Sequence, residues 1–463
     1  MFKILFLLSD TDSKYCIREA KEMIYAKYSN EFHIEFMNIR EIDNSNEKLQ
    51  ECLIQVSNSD VLFIALHGGI SHFNNFDNII NQCNEKKVFF HSGMEDENRE
   101  IFLKSALTEE EYLTISSYYR MGGKENSYNM ILYMGSNLGT GKYNYDKPKA
   151  PTWEGIYDPQ YEIIDYKQYI KELMELKKPI VGIMFYSSYL HNNNVEFIDC
   201  IMETVEKLGG IPLAIYTISS PDECIGAKGV YWTIDNILSH EGKPVVDVII
   251  NTMGFAQTVL GNPGDGQSII RDSVFEKLGV PVIQAMNTYQ DYEAWKSSLK
   301  GLDNMSLATS VYYPEFDGQL ISSIISTSEM VKDKLGERRV FKPVKERVNK
   351  ITRLALNWAN LREKINKEKK VAIIFHNMPP RNDMIGCAFG LDSPKSVYNI
   401  VNGLKDEGIY TEYEFQDGDE IINRIIEAVS NDNRWLTSER VIEKSVDIIK
   451  KEQYERWFKN LPG

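Results

Sequence analysis

Short, almost wholly apolar runs recur along this chain at intervals that leave room for a helix, and that rhythm limits the possible folds more than any other feature. The runs are Ile4–Leu8, Val61–Leu66, Val88–His91, Ile180–Tyr186, Pro212–Tyr216, Val245–Asn251, Val280–Ala285 and Val371–His376. Strands without polar alternation are strands covered on both faces, and helical spacers between them build parallel sheets from βαβ units. The expected class is therefore α/β, multi-domain, with Rossmann-like or flavodoxin-like parallel sheets and flanking helices. Phe197–Leu208 reads as one such helix, with Ile198, Ile201, Met202, Val205 and Leu208 on one face and Gly209-Gly210 as its stop. Ser13 is a candidate N-cap for a helix carrying Ile17, Ala20 and Ile24 inward.

With 463 residues the chain exceeds what a single core organises. Tyr143–Gln160, with Pro148, Pro151, Gly155 and Pro159, breaks the rhythm as a connector. Lys332–Pro343 reads as a second junction, before a helix carrying Val348, Ile351, Leu354, Ala355 and Trp358 and a new βα unit. The expected division is an α/β domain over 1–145, a second over 160–335, and over 336–463 a helix with the start of a third. A net charge of −15 argues against general nucleic-acid binding, which needs a basic face. The cysteines are scattered with no Cys-x-x-Cys pair, so a structural zinc site is not expected. The apolar run at Phe2–Leu8 is too short for a signal peptide, and no stretch reaches membrane-span length, so a cytoplasmic protein is expected.

Several motifs bear on chemistry. Gly261–Ser268 is rich in glycine but lacks the lysine of a phosphate loop, and reads as a surface loop. His67 and His72, at a strand end, are not at the spacing that puts two ligands on one helical face; a glycine turn is the simpler reading. His91 is similar. In Tyr313-Pro-Glu-Phe-Asp-Gly318, alternate positions of an extended strand would aim Glu315 and Asp317 at one space, giving a general base or a hard metal site; solvated acids on a turn are the alternative. His376 closes the run Val371–Phe375, where an imidazole can bind a metal or take a proton near neutral pH. Asp392 or Ser393 can cap the following helix, with Pro394 in its first turn.

Taken in order, Tyr119–Asn126, Trp153–Pro159, Lys178–Tyr186, Val280–Gln284, Trp295 with Gly301-Leu302, Pro314–Gly318, Phe375–Asn377 and Gly390–Pro394 resemble the large subunit of aerobic-type cobaltochelatase (the CobN type) and its relative, the magnesium chelatase H subunit. Asp158-Pro-Gln160 departs from the family's more usual His-Pro-Asp/Glu. The resemblance implies binding of a metal-free tetrapyrrole and insertion of Co2+ into hydrogenobyrinic acid a,c-diamide, or of Mg2+ into protoporphyrin IX. ATP would be hydrolysed by separate AAA+ subunits, in accord with the missing phosphate loop. Glu315, Asp317 and His376 are then assigned to metal delivery or proton acceptance. Tyr157, Phe185, Tyr186, Phe255 and Gln284 are assigned to the macrocycle pocket, with ordinary strand-end packing as the alternative for the aromatics. Family members are much longer, so the chain is expected to be an N-terminal portion, not by itself competent for insertion. A non-catalytic tetrapyrrole carrier and, more remotely, a flavodoxin-like redox protein are the competing readings.

Overall fold

The computed structural model describes residues 1–9, 13–66, 68–83, 85–161, 164–258, 273–333, 336–432 and 434–461. The chain divides into two compact units, Met1–Ala359 and Asn360–Gly463.

The first unit holds two sheets. One comprises β1 (Phe2–Leu8), β2 (Phe32–Asn38), β3 (Val61–Ala65) and β4 (Lys87–His91), all parallel, in the order β2-β1-β3-β4. Ile17, Ala20 and Ile24 of the helix Ser13–Tyr28 are buried, as the apolar spacing predicts. Strand β2 escaped the search for continuous apolar runs because it lies at an edge. Its Phe32, Ile34 and Phe36 alternate with polar residues, and most of it is only half-buried.

The second sheet is built from β5 (Gly155–Tyr157), β6 (Ile180–Tyr186), β7 (Ile211–Thr217), β10 (Val248–Asn251), β11 (Val282–Asn287), β12 (Leu320–Asp333) and β13 (Gly336–Pro343). A separate two-residue hairpin, β8 (Ser239–His240) with β9 (Lys243–Pro244), precedes β10. The order is β13-β12-β11-β10-β6-β7-β5. The five interior strands are parallel, and β5 and β13 close the two edges antiparallel. Lys332–Pro343 is thus no junction: Lys332 and Asp333 end β12, and Gly336–Pro343 is its antiparallel partner β13. Arg338, Arg339 and Lys342 lie on the edge strand, and β12 is too rich in serine and threonine to read as apolar.

The helix Lys345–Glu363 completes this lobe. Its Val348, Ile351, Ala355 and Ala359 share one core with Val181, Ile183 and Phe185 of β6 and with Phe197, Ile198, Ile201 and Val205 of the helix Glu196–Lys207. Each Val, Ile or Phe among them, fully buried, stabilises the packing by about 1.5–3 kcal/mol.

In the second unit, Asp392 caps the helix Ser393–Asp406, accepting from the Lys395 N–H, with Pro394 in the first turn. The expected strand at Val371–His376 does not form. No partner strand lies beside it among the described residues of this unit, and Val371, Ile373 and Ile374 stay exposed, Ile374 at 90 %. Ile385 and Ile421 are the buried apolar side chains here among the described residues. No helix among the described residues is long and apolar enough to cross a membrane.

Candidate functional site

In the seven-stranded sheet, β7 lies on one side of β6 and β10 on the other, so the direction of winding reverses between β6 and β10. Open α/β sheets bind ligands beyond the carboxyl ends of the strands at such a reversal. Here that edge carries a connected set of uncharged polar side chains and one carboxylate.

Asn251 ends β10, and its Nδ2 donates to Gln284 Oε1 of β11 at 3.1 Å and to Gln319 Oε1, just ahead of β12, at 2.9 Å. Gln284 Nε2 donates to the Met253 carbonyl at 3.0 Å, and Gln319 Nε2 reaches Asp317 Oδ2 at 3.4 Å. The Asp317 carboxylate is 3 % exposed. It accepts from the backbone N–H groups of Gln257 at 2.5 Å and Thr258 at 3.1 Å, fixing the loop after β10. Tyr186, at the end of β6, donates its hydroxyl to the Gly254 carbonyl at 2.7 Å, and burial pushes its phenol pKa up.

The same loop turns at Phe255, whose φ of +62° is unusual for a residue with a side chain. That turn lifts the ring into solvent, 54 % exposed, with its centroid 6.0 Å from that of Tyr313. Tyr313 is followed at 6.5 Å by Phe316, 69 % exposed, and Tyr312 is exposed beside it. These aromatic rings, left in water beside a buried polar network, form an exposed apolar rim of the kind that a ligand or partner covers.

Four buried polar atoms of this edge have no hydrogen-bond partner among the described residues: Ser187 Oγ after β6, Gln257 Oε1 after β10, Asn287 Nδ2 at the end of β11 and Gln290 Oε1 beyond it. An unsatisfied buried group costs about 1–3 kcal/mol, and such groups gather at one edge only when something else satisfies them or function retains them.

The expected site residues divide. Gln284, Tyr186, Phe255, Glu315 and Asp317 meet at this edge. The two carboxylates do not share a space, however, because Tyr313–Phe316 is a helical turn with Pro314 in its first positions. Residues two apart on a helix diverge, so Glu315 is exposed while Asp317 turns inward. Phe185 and Tyr157 belong to the core on the opposite face of the sheet. Phe185 is fully buried against Tyr157 and Tyr216, and the Tyr157 hydroxyl donates to Asp199 Oδ1 at 2.8 Å. Alternation along β6 sends Phe185 and Tyr186 to opposite faces, and one of the two had to be core. His376 is exposed in the second unit, and its carbonyl accepts from the Gly386 N–H at 2.7 Å. His72 is exposed on a short turn, and His91 is half-buried against Tyr119. His67 and Gly261–Ser268 lie outside the described residues. Among the described residues, no group of three or more His, Cys, Asp or Glu is arranged to hold a metal ion.

Asn251, Gln257 and Gln319 were not singled out by the sequence reading. The available signal was polar residues closing otherwise apolar runs: Asn251 ends one such run and Gln284 nearly ends another.

Comparison with known proteins places this geometry in context. An uncharacterized protein of Methanocaldococcus jannaschii is 37 % identical over 357 residues, covering 75 % of this chain and 28 % of its own length. The aerobic cobaltochelatase subunit CobN of Pseudomonas aeruginosa is 26 % identical over 381 residues, 81 % of this chain and 29 % of that protein. The chain thus spans less than a third of the length of these relatives. The catalytic subunit of cobaltochelatase from Mycobacterium tuberculosis shares the fold, with a TM-score of 0.57 at 21 % identity, over 99 % of this chain and 35 % of that one. The family model described as CobN/Magnesium Chelatase matches residues 116–463, the greater part of the chain. The chain belongs to the CobN/magnesium chelatase family.

Proposed function

We propose that this chain is the tetrapyrrole-binding portion of the large subunit of an ATP-dependent metal chelatase acting in the cytoplasm. The observation that carries the reading is the exposed aromatic rim of Phe255, Tyr313 and Phe316 beside the buried polar network at the strand ends. The macrocycle lies against the rim and presents its edge to Tyr186, Gln284 and the loop held by Asp317. The substrate metal is Co2+, with a hydrogenobyrinic acid a,c-diamide ring, in the favoured version; Mg2+ and protoporphyrin IX form the alternative. ATP is consumed by separate AAA+ subunits.

Insertion requires that two pyrrole N–H protons leave while the metal ion sheds water. Glu315, exposed beside Phe316, is the carboxylate free to accept a proton or guide the ion. Asp317 acts through the Gln257 and Thr258 N–H groups as a positioning residue. His376 is a further candidate for metal handling, carried by the second unit. A non-catalytic tetrapyrrole carrier would use the same rim without Glu315.

A tryptophan-fluorescence titration with metal-free corrinoid and with free-base porphyrin tests the reading. Saturable micromolar binding is expected, corresponding to about −8 kcal/mol. Phe255→Ala and Tyr313→Ala should each weaken it about tenfold, the loss of one ring contact, while Glu315→Gln leaves binding unchanged. Binding that ignores both aromatic truncations sinks the assignment of the rim.

A further inference from the structure

The second unit carries two helices, Ser393–Asp406 and Gly418–Glu427, and each follows a segment whose sequence reads as a strand. The first segment is the apolar run Val371–His376. The second, residues 410–415, alternates Tyr410, Glu412 and Glu414 with Thr411, Tyr413 and Phe415. Neither forms a strand, and no backbone-to-backbone hydrogen bond joins residues 371–375 or 410–415 to another described residue. Val397, Val401 and Leu404 recur on one face of the helix Ser393–Asp406, yet no residue of that helix is buried. A groove of about 610 Å³ opens here, lined by Val371 and Ile373, by Val401 and Leu404, and by Ile409 and Tyr410. The helices of a βαβα unit are thus in place without the sheet that such helices cover. Parallel strands are stable when buried on both faces, and two of them are too few for a sheet that stands alone.

We infer that this groove is a docking surface for a β-strand from the polypeptide equivalent to the part of the relatives that this chain does not span. The incoming strand pairs with residues 371–375, and the apolar face of Ser393–Asp406 covers the sheet so formed. Unpaired strand-forming segments are templates for such addition, with main-chain bonds giving affinity and alternate side chains giving selectivity. Two observations select this occupant. The family match runs from residue 116 to residue 463, so it takes in the whole of the second unit and places that unit inside the family's own architecture. The matched regions make up only 28 % and 29 % of the two relatives and 35 % of the solved neighbour, so most of each lies outside the match. That remainder is the polypeptide a member of this family has at hand to complete an unfinished sheet. No ligand enters the assignment, so it stands apart from the tetrapyrrole reading.

The test is co-expression of the tagged full chain with a polypeptide comprising the part of the Methanocaldococcus jannaschii relative that lies outside the match. The two should co-purify as an equimolar complex, and amide hydrogen exchange at residues 371–375 should slow about tenfold or more relative to the chain alone. Val371→Asp combined with Ile373→Asp alters two exposed side chains, and should lower the recovered partner about tenfold by setting charges against an apolar strand. Ile54→Asp, at an exposed apolar position on the helix Asn46–Asn58, should leave recovery unchanged. The inference is overturned if the two polypeptides do not co-purify, if residues 371–375 exchange in the complex as they do in the free chain, or if the double variant retains its partner. It is overturned as well if residues 371–375 are already protected in the chain alone; sedimentation as a dimer would then name a second copy as the occupant. That last criterion needs neither partner nor variant, so a misfolded companion does not shelter the idea.

Discussion

At the scale of single residues, Asp317 shows how a carboxylate in a motif can serve architecture. Its two oxygens accept from consecutive backbone N–H groups, and charge-assisted bonds of this kind contribute about 1.5–3 kcal/mol each. Asp317→Asn keeps the shape but replaces one accepting oxygen by a donor, so urea unfolding should show a loss of about 2–3 kcal/mol. A change below half a kilocalorie would mean the loop is held by something else. Two histidines make a second, pH-dependent contribution. Burial, and for His91 the nearby Arg120 charge, pulls the His91 and His191 pKa values below the ordinary 6.5. The unfolded chain therefore takes up protons at a pH where the folded protein does not. This contribution is complete above pH 6.5 and is lost as the pH falls through 6.5 toward the folded values, by at most about 1.4 kcal/mol per pH unit per histidine. Thermal melts from pH 7.5 to 5.5 should slope less steeply for a His91→Gln, His191→Gln double variant. Gln284 was picked out in the sequence as the last residue of the motif Val280–Gln284, and Phe255 only as one of several aromatics proposed for a pocket. Gln257 was not, since nothing local marks a glutamine that folds back on its own loop.

Among elements, the apolar runs that became strands share one property: each lies inside a sheet or against a helix that covers it. Sequence periodicity found β1, β3, β4, β6, β7, β10 and β11. It passed over β2, β5, β12 and β13, which are edges or Ser/Thr-rich neighbours of an edge, because half-covered strands alternate or carry charge. It also promised a strand at Val371–His376, where hydrophobicity is strong but no neighbour among the described residues of that unit supplies a ladder. The turn Tyr313–Phe316 reversed a second expectation, since proline early in a short helix looks locally like the end of a strand. The helix Lys345–Glu363 packs its Val348, Ile351 and Ala355 into the core beside the seven-stranded sheet. Ile351, 1 % exposed, faces the shared core, so Ile351→Ala should cost about 2–5 kcal/mol in chemical denaturation. A linker helix would show almost no cost.

For the whole molecule, burial is distributed unevenly. The four large apolar clusters lie in Met1–Ala359, whereas Ile385 and Ile421 are the buried apolar side chains described in Asn360–Gly463. Ordering a residue costs about 1–2 kcal/mol of backbone entropy, which so little burial does not offset. Limited proteolysis should therefore remove the second unit first and leave a resistant fragment ending near Ala359, visible by mass spectrometry; early cuts within either sheet would contradict this. The edges of the seven-stranded sheet carry a consequence for how it assembles. Ile180 must find Ile211, Val181 must find Val248, and Gly155 must find Tyr216, each across a long stretch of chain. Among the described strands of this sheet, β12 and β13 are the pair that are also close neighbours in sequence. A hairpin closes in microseconds, whereas distant parallel strands must first close large loops. The antiparallel edge is thus the one part of this sheet that can form quickly by itself, and β11, which presents Gln284 to Asn251, waits for the slow search.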